Sequence, residues 1–240
     1  MQNINPSHSI ARRGRFYLFF GGLAFFGGAI ALTLAVLFFF FPLWETASFG
    51  VVRALLILVG LVTLIAGIGL IVRALTLQKD NPLAYAVGEA LTQFLDNRYT
   101  YLRNVSKRQV GYIDAVLVGP PGALVFRIVD YPGQWINERS EWIVKTRNGK
   151  MSPAKTNPTR ECVKDVYALR KFLTKHGLER VPVYAIVVFT SPHVQLSASG
   201  PVVPICEIPT LYQIMRRDYL TDERIAAPAI RSTVDAIIDG

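Results

Sequence analysis

The spacing of apolar residues divides the chain in two. Phe16–Phe41 runs for 26 residues without a charged side chain, and Ala54–Val72 adds 19 more. A helix of about 20 apolar residues crosses the hydrocarbon core of a bilayer, so each run predicts a transmembrane helix. The stretch Pro42–Gly50 between them is only long enough to connect the two as a hairpin. Its Trp44 suits the headgroup level, where amphipathic aromatics collect. Ala24 and Gly28, then Gly60, Thr63 and Gly67, recur at spacings of three and four. Small residues so spaced let two helices approach closely. Neither run holds Asp, Glu, His or Lys, so nothing marks an ion or proton path and the hairpin reads as an anchor.

Beyond residue 80 the apolar positions fall into shorter, alternating groups. Asn81 is a good N-cap, with Pro82 at the first helical position. A helix over Pro82–Leu95 would bury Leu83, Val87, Ala90, Leu91 and Phe94. Strands follow at Tyr99–Val105, Tyr112–Val118 and Ala123–Asp130, then shorter ones at Gln134–Glu138 and Glu141–Arg147, with Asn148-Gly149 as a hairpin turn. Asn157 caps a helix that runs to about His176, where Gly177 stops it. Val181–Thr190 is a nearly continuous apolar run, as expected of a strand buried on both faces. A weaker strand lies at Val202–Cys206. Helices at Pro209–Tyr219 and Asp222–Asp239 close the chain, the last interrupted at Pro228. The order is that of an α/β domain with a mixed sheet. The expected plan is a basic tail (1–15), two transmembrane helices (16–73), a linker (74–81), the mixed-sheet domain (82–220) and a C-terminal helix (221–240).

Charged residues inside apolar strands carry the candidate chemistry. Asp114 interrupts the first long strand of the hairpin and Arg127 the second, on either side of Gly119-Pro120-Pro121-Gly122. Two prolines and two glycines at that point predict a tight turn. A buried charge must be paired or face a solvated cleft, so Asp114 and Arg127 form either an ion pair between strands or part of a site. Ile113-Asp114, the Gly-Pro-Pro-Gly turn and Tyr131-Pro132-Gly133 resemble the core of the nuclease-related domain (NERD), a branch of the PD-(D/E)xK, restriction-endonuclease-like superfamily. Gly88-Glu89 resembles that family's opening Gly-Glu, and Asn157-Pro158 its Asn-Pro motif, with Glu161 where Gln is common. The resemblance covers roughly 84–190. It implies a restriction-endonuclease-like fold and a Mg²⁺-dependent nuclease, with Asp114 as one metal ligand and Glu89 as an accessory acid. The family's Glu-x-Lys is replaced. Arg127 stands at the Glu position and Val129 at the Lys position, while Asp130 projects to the opposite face of the strand unless a bulge intervenes. The expected site is therefore a degenerate one, with no metal ligand set and no cofactor. Mg²⁺ is expected only under the alternative of an active nuclease with a relocated site.

Charge adds a partner class. The chain carries +9 formally, and Arg98–Lys175 alone holds 15 basic and 6 acidic residues. Lys145, Arg147, Lys150, Lys155 and Arg160 cluster within it. Such a cluster fits a solvated surface, an anionic lipid surface or a phosphate backbone. Trp135 and Trp142 at strand spacing fit a core or a base-stacking platform. Arg12, Arg13 and Arg15 precede the first apolar run, and Arg73 and Lys79 follow the second. The positive-inside rule then puts both ends in the cytoplasm. Cys162 and Cys206 lack metal spacing, and His8, His176 and His193 have no partner at ligand spacing. No phosphate loop, dinucleotide fingerprint or nucleophile elbow appears. The function expected is a membrane-anchored module that binds nucleic acid, anionic lipid or a protein partner. Its alternatives are an active nuclease and a structural membrane protein without a nucleic-acid role.

Overall fold

The computed structural model describes the chain except residues 6–7, 42–46, 79–80, 108, 146–147 and 240, and the side chains of 8–13, 47–48 and 76–78. Trp44, Glu45, Lys79 and Arg147 therefore lie outside the described residues, as do the side chains of His8, Arg12 and Arg13. Two compact units emerge, one of residues 8–79 and one of 1–7 with 80–240.

The first unit is two paired helices, α1 (His8–Phe40) and α2 (Ala47–Gln78). Within them Gly14–Phe40 and Phe49–Leu75 are long and apolar enough to cross a membrane. Of the expected small residues, Gly28, Gly60, Thr63 and Gly67 lie at the contact, joined by Gly21. A Cβ on Gly28 would lie 2.7 Å from the Gly60 carbonyl, and one on Gly67 would lie 2.8 Å from that of Gly21. The pairing is antiparallel and so close that only glycine fits. Phe19, Phe26, Leu58 and Ile65 are exposed on the outside, as suits helices surrounded by lipid.

The second unit holds ten strands and four helices among the described residues. Its main sheet has six strands in the order β1-β2-β3-β4-β8-β10. These are β1 (Gln2–Ile4), β2 (Thr100–Lys107), β3 (Gly111–Gly119), β4 (Gly122–Val129), β8 (Val183–Phe189) and β10 (Ile205–Glu207). A second sheet runs β7-β6-β5-β9, from β5 (Gly133–Glu138), β6 (Glu141–Lys145), β7 (Met151–Pro153) and β9 (Val194–Ser199). The main sheet is mixed. β2, β3 and β4 are antiparallel, while β1 on β2, β8 on β4 and β10 on β8 are parallel. Helices α3 (Pro82–Thr92) and α5 (Ile208–Asp218) pack against one face through Val87, Leu91, Leu124, Phe126 and Leu211. Helices α4 (Pro158–Lys175) and α6 (Ala227–Asp239) cover the other with Val125, Val187, Leu169, Phe172 and Ile237.

Local chemistry explains the boundaries. Asn81 caps α3, accepting from the Leu83 and Ala84 amides, and Asn157 caps α4 through the Arg160 amide. Gly177 takes a φ of 72° just past the α4 C-cap, the left-handed turn that ends many helices. Pro120-Pro121 forms the two-residue turn, with Gly119 opposite Gly122. Several expectations change, and Phe94, expected to be buried, is exposed. Residues at the start of the presumed tail form β1, which pairs with β2. β9 was not anticipated. The last helix begins at Ala227, so Pro228 sits in its first turn, where a missing N–H costs nothing, and does not interrupt it.

Candidate functional site

The site lies where β3 leaves β4. Their ladder closes at Ala115 and Phe126, so the next amide on the β3 side of β4 needs another acceptor. Asp114 supplies it: its Oδ2 accepts from the Ile128 amide at 2.9 Å. Its Oδ1 lies 3.4 Å from Asn81 Nδ2, which also reaches the Tyr112 hydroxyl at 3.2 Å. The Tyr112 hydroxyl in turn donates to Asn104 Oδ1 at 3.2 Å. Asn104 has a φ of 53° and falls between the pairs Arg103–Ala115 and Val105–Ile113. Asparagine is one of the few residues that tolerates this left-handed backbone.

Arg127 fills the space beside Asp114. Its guanidinium donates to Glu161, its nearest partner, and lies 3.8 Å from Asp114 and 3.9 Å from Asp165. Glu161 and Asp165 are four residues apart on α4, which puts both on one helix face. The expected ion pair between Asp114 and Arg127 is therefore present but loose, one arm of a cluster of three carboxylates around one guanidinium. Burial disfavours the Arg127 charge, yet the three acids together raise its pKa. Burial likewise raises Asp114 above the ordinary carboxylate range, against the opposing pull of the Ile128 amide and Arg127. Asp165 rises to about 6, first from burial, with Arg127 opposing and Asp114 and Glu161 reinforcing. Its Oδ2 is buried without a hydrogen bond.

The remaining expected residues are divided. Val129 is 4% exposed in the core beside Phe189 and offers nothing to water. Glu89 is exposed on α3 and contributes no contact to the cluster among the described residues. Gly88, its neighbour, has a packing role: a Cβ there would lie 2.8 Å from the Tyr101 ring. Asp130 is exposed. Trp135 and Trp142 are core residues, with Trp142 Nε1 donating to Thr159 at 2.9 Å. No group of three or more His, Cys, Asp or Glu among the described residues is arranged to hold a metal ion. Cys162 is buried beneath the cluster and its thiol is pushed up to about 12. Asp165, Asn81 in its contact with Asp114, Tyr112 and Asn104 were missed in the sequence. Of these, only Asp165 carried a signal, its position one turn after Glu161.

Lys145, Lys150, Lys155 and Arg160 are all exposed. Lys145 and Lys150 sit at the turn end of the β6–β7 hairpin. Arg160 lies near Glu141 at its other end, at 4.0 Å. The three lysines thus lie on or beside the β6–β7 hairpin, with Arg160 on α4 next to Glu141.

Two stability measurements test the cluster in the intact chain, read by the fluorescence of the buried Trp135 and Trp142. Arg127→Ala leaves the buried Asp114 carboxylate without its cation and should cost about 3 kcal/mol. A loss below a few tenths would show that Asp114 is held by the Ile128 amide alone. Asp165 titrates near 6 in the fold against an ordinary value of 3.8. Between those values the folded chain keeps a proton that the unfolded chain has released, so this group's contribution falls as pH rises. Asp165→Asn should therefore raise the melting temperature at pH 8 and leave it unchanged at pH 4. A uniform fall at both values would make Asp165 a net stabiliser in its ionised form.

Comparison with known proteins agrees with the motifs. Residues 79–190 match the model of the family described as the nuclease-related domain. No curated protein and no solved structure matches the chain. Together with the Gly-Pro-Pro-Gly turn, Asp114 on β3 and the mixed sheet, the match identifies the region spanning 79–190 as a nuclease-related domain, NERD, preceded by two long apolar helices.

Proposed function

We propose that the chain is a membrane-anchored NERD protein whose nuclease site is degenerate, and that it acts as a binding module at the cytoplasmic face of the membrane. One observation carries this reading. The Arg127 guanidinium stands among Asp114, Glu161 and Asp165, where a metal nuclease needs a dication. A guanidinium stays protonated at any working pH and donates without accepting. It offsets part of the carboxylate charge and offers no ligand. Val129, at the position of the water-activating Lys, is buried in the core. The exposed basic residues Lys145, Lys150, Lys155 and Arg160 support phosphate as the ligand chemistry, in nucleic acid or lipid headgroups.

The topology has its own support. The residues before α1 and those after α2 belong to one compact unit, with β1 hydrogen-bonded to β2. If the hairpin crosses a bilayer, both its ends return to the same side. The basic residues flanking it favour the cytoplasmic side.

The decisive experiment uses the full chain in nanodiscs. No Mg²⁺- or Mn²⁺-dependent cleavage of single- or double-stranded DNA is expected. Cleavage abolished by Asp114→Ala would establish the active nuclease with a relocated site. Binding to duplex DNA or anionic vesicles should weaken with salt. The triple change Lys145→Glu, Lys150→Glu and Lys155→Glu should flatten the dependence of log K for DNA on log salt by roughly 3, at about 0.9 per phosphate contact. Absence of both binding and cleavage would leave a structural role.

Topology is tested separately by reporter fusions in the 42–50 connector and at Gly240. The expected result is an external signal from the first and a cytoplasmic one from the second. An external signal at Gly240 would overturn the orientation.

A further inference from the structure

The two sheets present four outer edges, at β1, β10, β7 and β9. Three are guarded. β1, β7 and β10 are three residues each. β7 also ends in Pro153 and lies between Lys150 and Lys155, while β10 runs directly into α5. Short strands, prolines and lysines are the usual protections against edge-to-edge pairing. β9 has none of these. It is six residues, Val-Gln-Leu-Ser-Ala-Ser, with no charge and no proline. Gln195, Ser197, Ala198 and Ser199 are exposed.

Its hydrogen-bonding direction can be read. The Gly133 amide donates to the His193 carbonyl at 3.0 Å, and the Arg139 amide to the Ser199 carbonyl at 3.1 Å. Both donors belong to the β5 side, so the odd-numbered residues of β9 face β5. Backbone groups alternate along a strand, so Leu196 and Ala198 direct their N–H and C=O off the sheet. Val194 also points outward, but its amide already donates to the Ser191 carbonyl at 3.3 Å. The open edge is thus two residues with both donor and acceptor, flanked by Pro192 and Pro201.

We infer that β9 pairs with β9 of a second copy of this chain, antiparallel, joining two four-stranded sheets into one of eight. A two-fold interface presents the same surface from both sides, and this edge is self-complementary in one register. Leu196 and Ala198 of one copy exchange both backbone hydrogen bonds with Ala198 and Leu196 of the other. That uses every outward N–H and C=O of these two residues on both strands and keeps Val194 out of the ladder. It also sets side chains of the same face opposite each other. Ser197 then meets Ser197 across the axis as a non-hydrogen-bonded pair, and Gln195 meets Ser199. So few backbone bonds form a weak interface in free solution. Confinement to one membrane raises the effective concentration enough to populate it. That confinement rests on the proposed anchor, and fractionating the same cells tests the anchor independently.

Cysteine cross-linking in native membranes tests the register. Cys162 and Cys206 are buried, which keeps the background low. Non-hydrogen-bonded antiparallel partners have Cα atoms about 4.5 Å apart, within the range a disulfide spans. Ser197→Cys should form disulfide-linked dimer under mild oxidation. The two copies of position 195 would lie more than about 13 Å apart, so Gln195→Cys should give roughly tenfold less dimer. Copies carrying Gln195→Cys and Ser199→Cys should cross-link when expressed together, and neither should do so alone. All three positions are exposed, so the fold is kept. Equal cross-linking at 195 and 197, or none at 197, overturns the proposal. A Ser197→Cys product containing a different protein overturns it in favour of a strand supplied by that partner.

Discussion

A carboxylate buried where two strands part governs this domain. Asp114 sits one residue beyond the last rung between β3 and β4 and takes the amide that the ladder has released, Ile128 N–H. A buried carboxylate costs several kcal/mol unless compensated. Burial still lifts its pKa against the Ile128 amide and the nearby Arg127 charge. Arg127 brings a cation beside it, and that cation is itself partly buried and needs anions of its own. Glu161 and Asp165 on α4 provide them. Each charge thus calls for the next, and the sequence of compensations fixes α4 against β4. Three carboxylates face one cation, and burial, reinforced by Asp114 and Glu161 and opposed by Arg127, lifts Asp165 to about 6.

How much of this could be read from the sequence depends on the range of the interactions involved. β3, β4 and their turn were legible because the Gly-Pro-Pro-Gly stretch admits little else and the flanking strands are apolar. The caps at Asn81 and Asn157 and the stop at Gly177 were legible for the same local reasons. β1 was not: three residues without a pattern become a strand only because β2, nearly a hundred positions away, offers a parallel edge. β9 was missed because Gln195, Ser197 and Ser199 give a weak alternation on an edge with little burial. In the site, Asp114 and Arg127 drew notice as charges in apolar strands. Asp165, one turn after Glu161, shares that residue's helix face, but its burial comes only when α4 docks. Asn104 carries no sign in the sequence that its backbone will turn left-handed.

The chain order has a consequence for the domain itself. The mixed-sheet unit is built from residues on both sides of the apolar hairpin, because β1 comes before α1 and all its partners come after α2. Asn3 also packs against α3, within 2.8 Å of where a Gly88 Cβ would be. A fragment that begins at residue 80 therefore lacks an edge strand and uncovers one side of β2. Such a fragment is not equivalent to the domain in the intact chain, and unguarded strand edges promote association.

The two sheets divide the chemistry. The main sheet carries Asp114 and Arg127, where a dication site has given way to a fixed internal ion cluster on our reading. The cluster turns its charges toward one another. The second sheet does the reverse. Its β6–β7 end presents lysines to solvent, and its β9 end presents unpaired backbone, while Trp135 and Trp142 are sealed in the core between them. Pairing two copies through β9 would leave the β6–β7 hairpins at opposite ends of one continuous sheet. Each dimer would then offer two sets of exposed basic residues to a single polyanion. Two weak sites on one rigid body bind an extended ligand far more tightly than either alone, through effective concentration. A binding module can gain selectivity for long polymers or charged surfaces over small phosphates in this way.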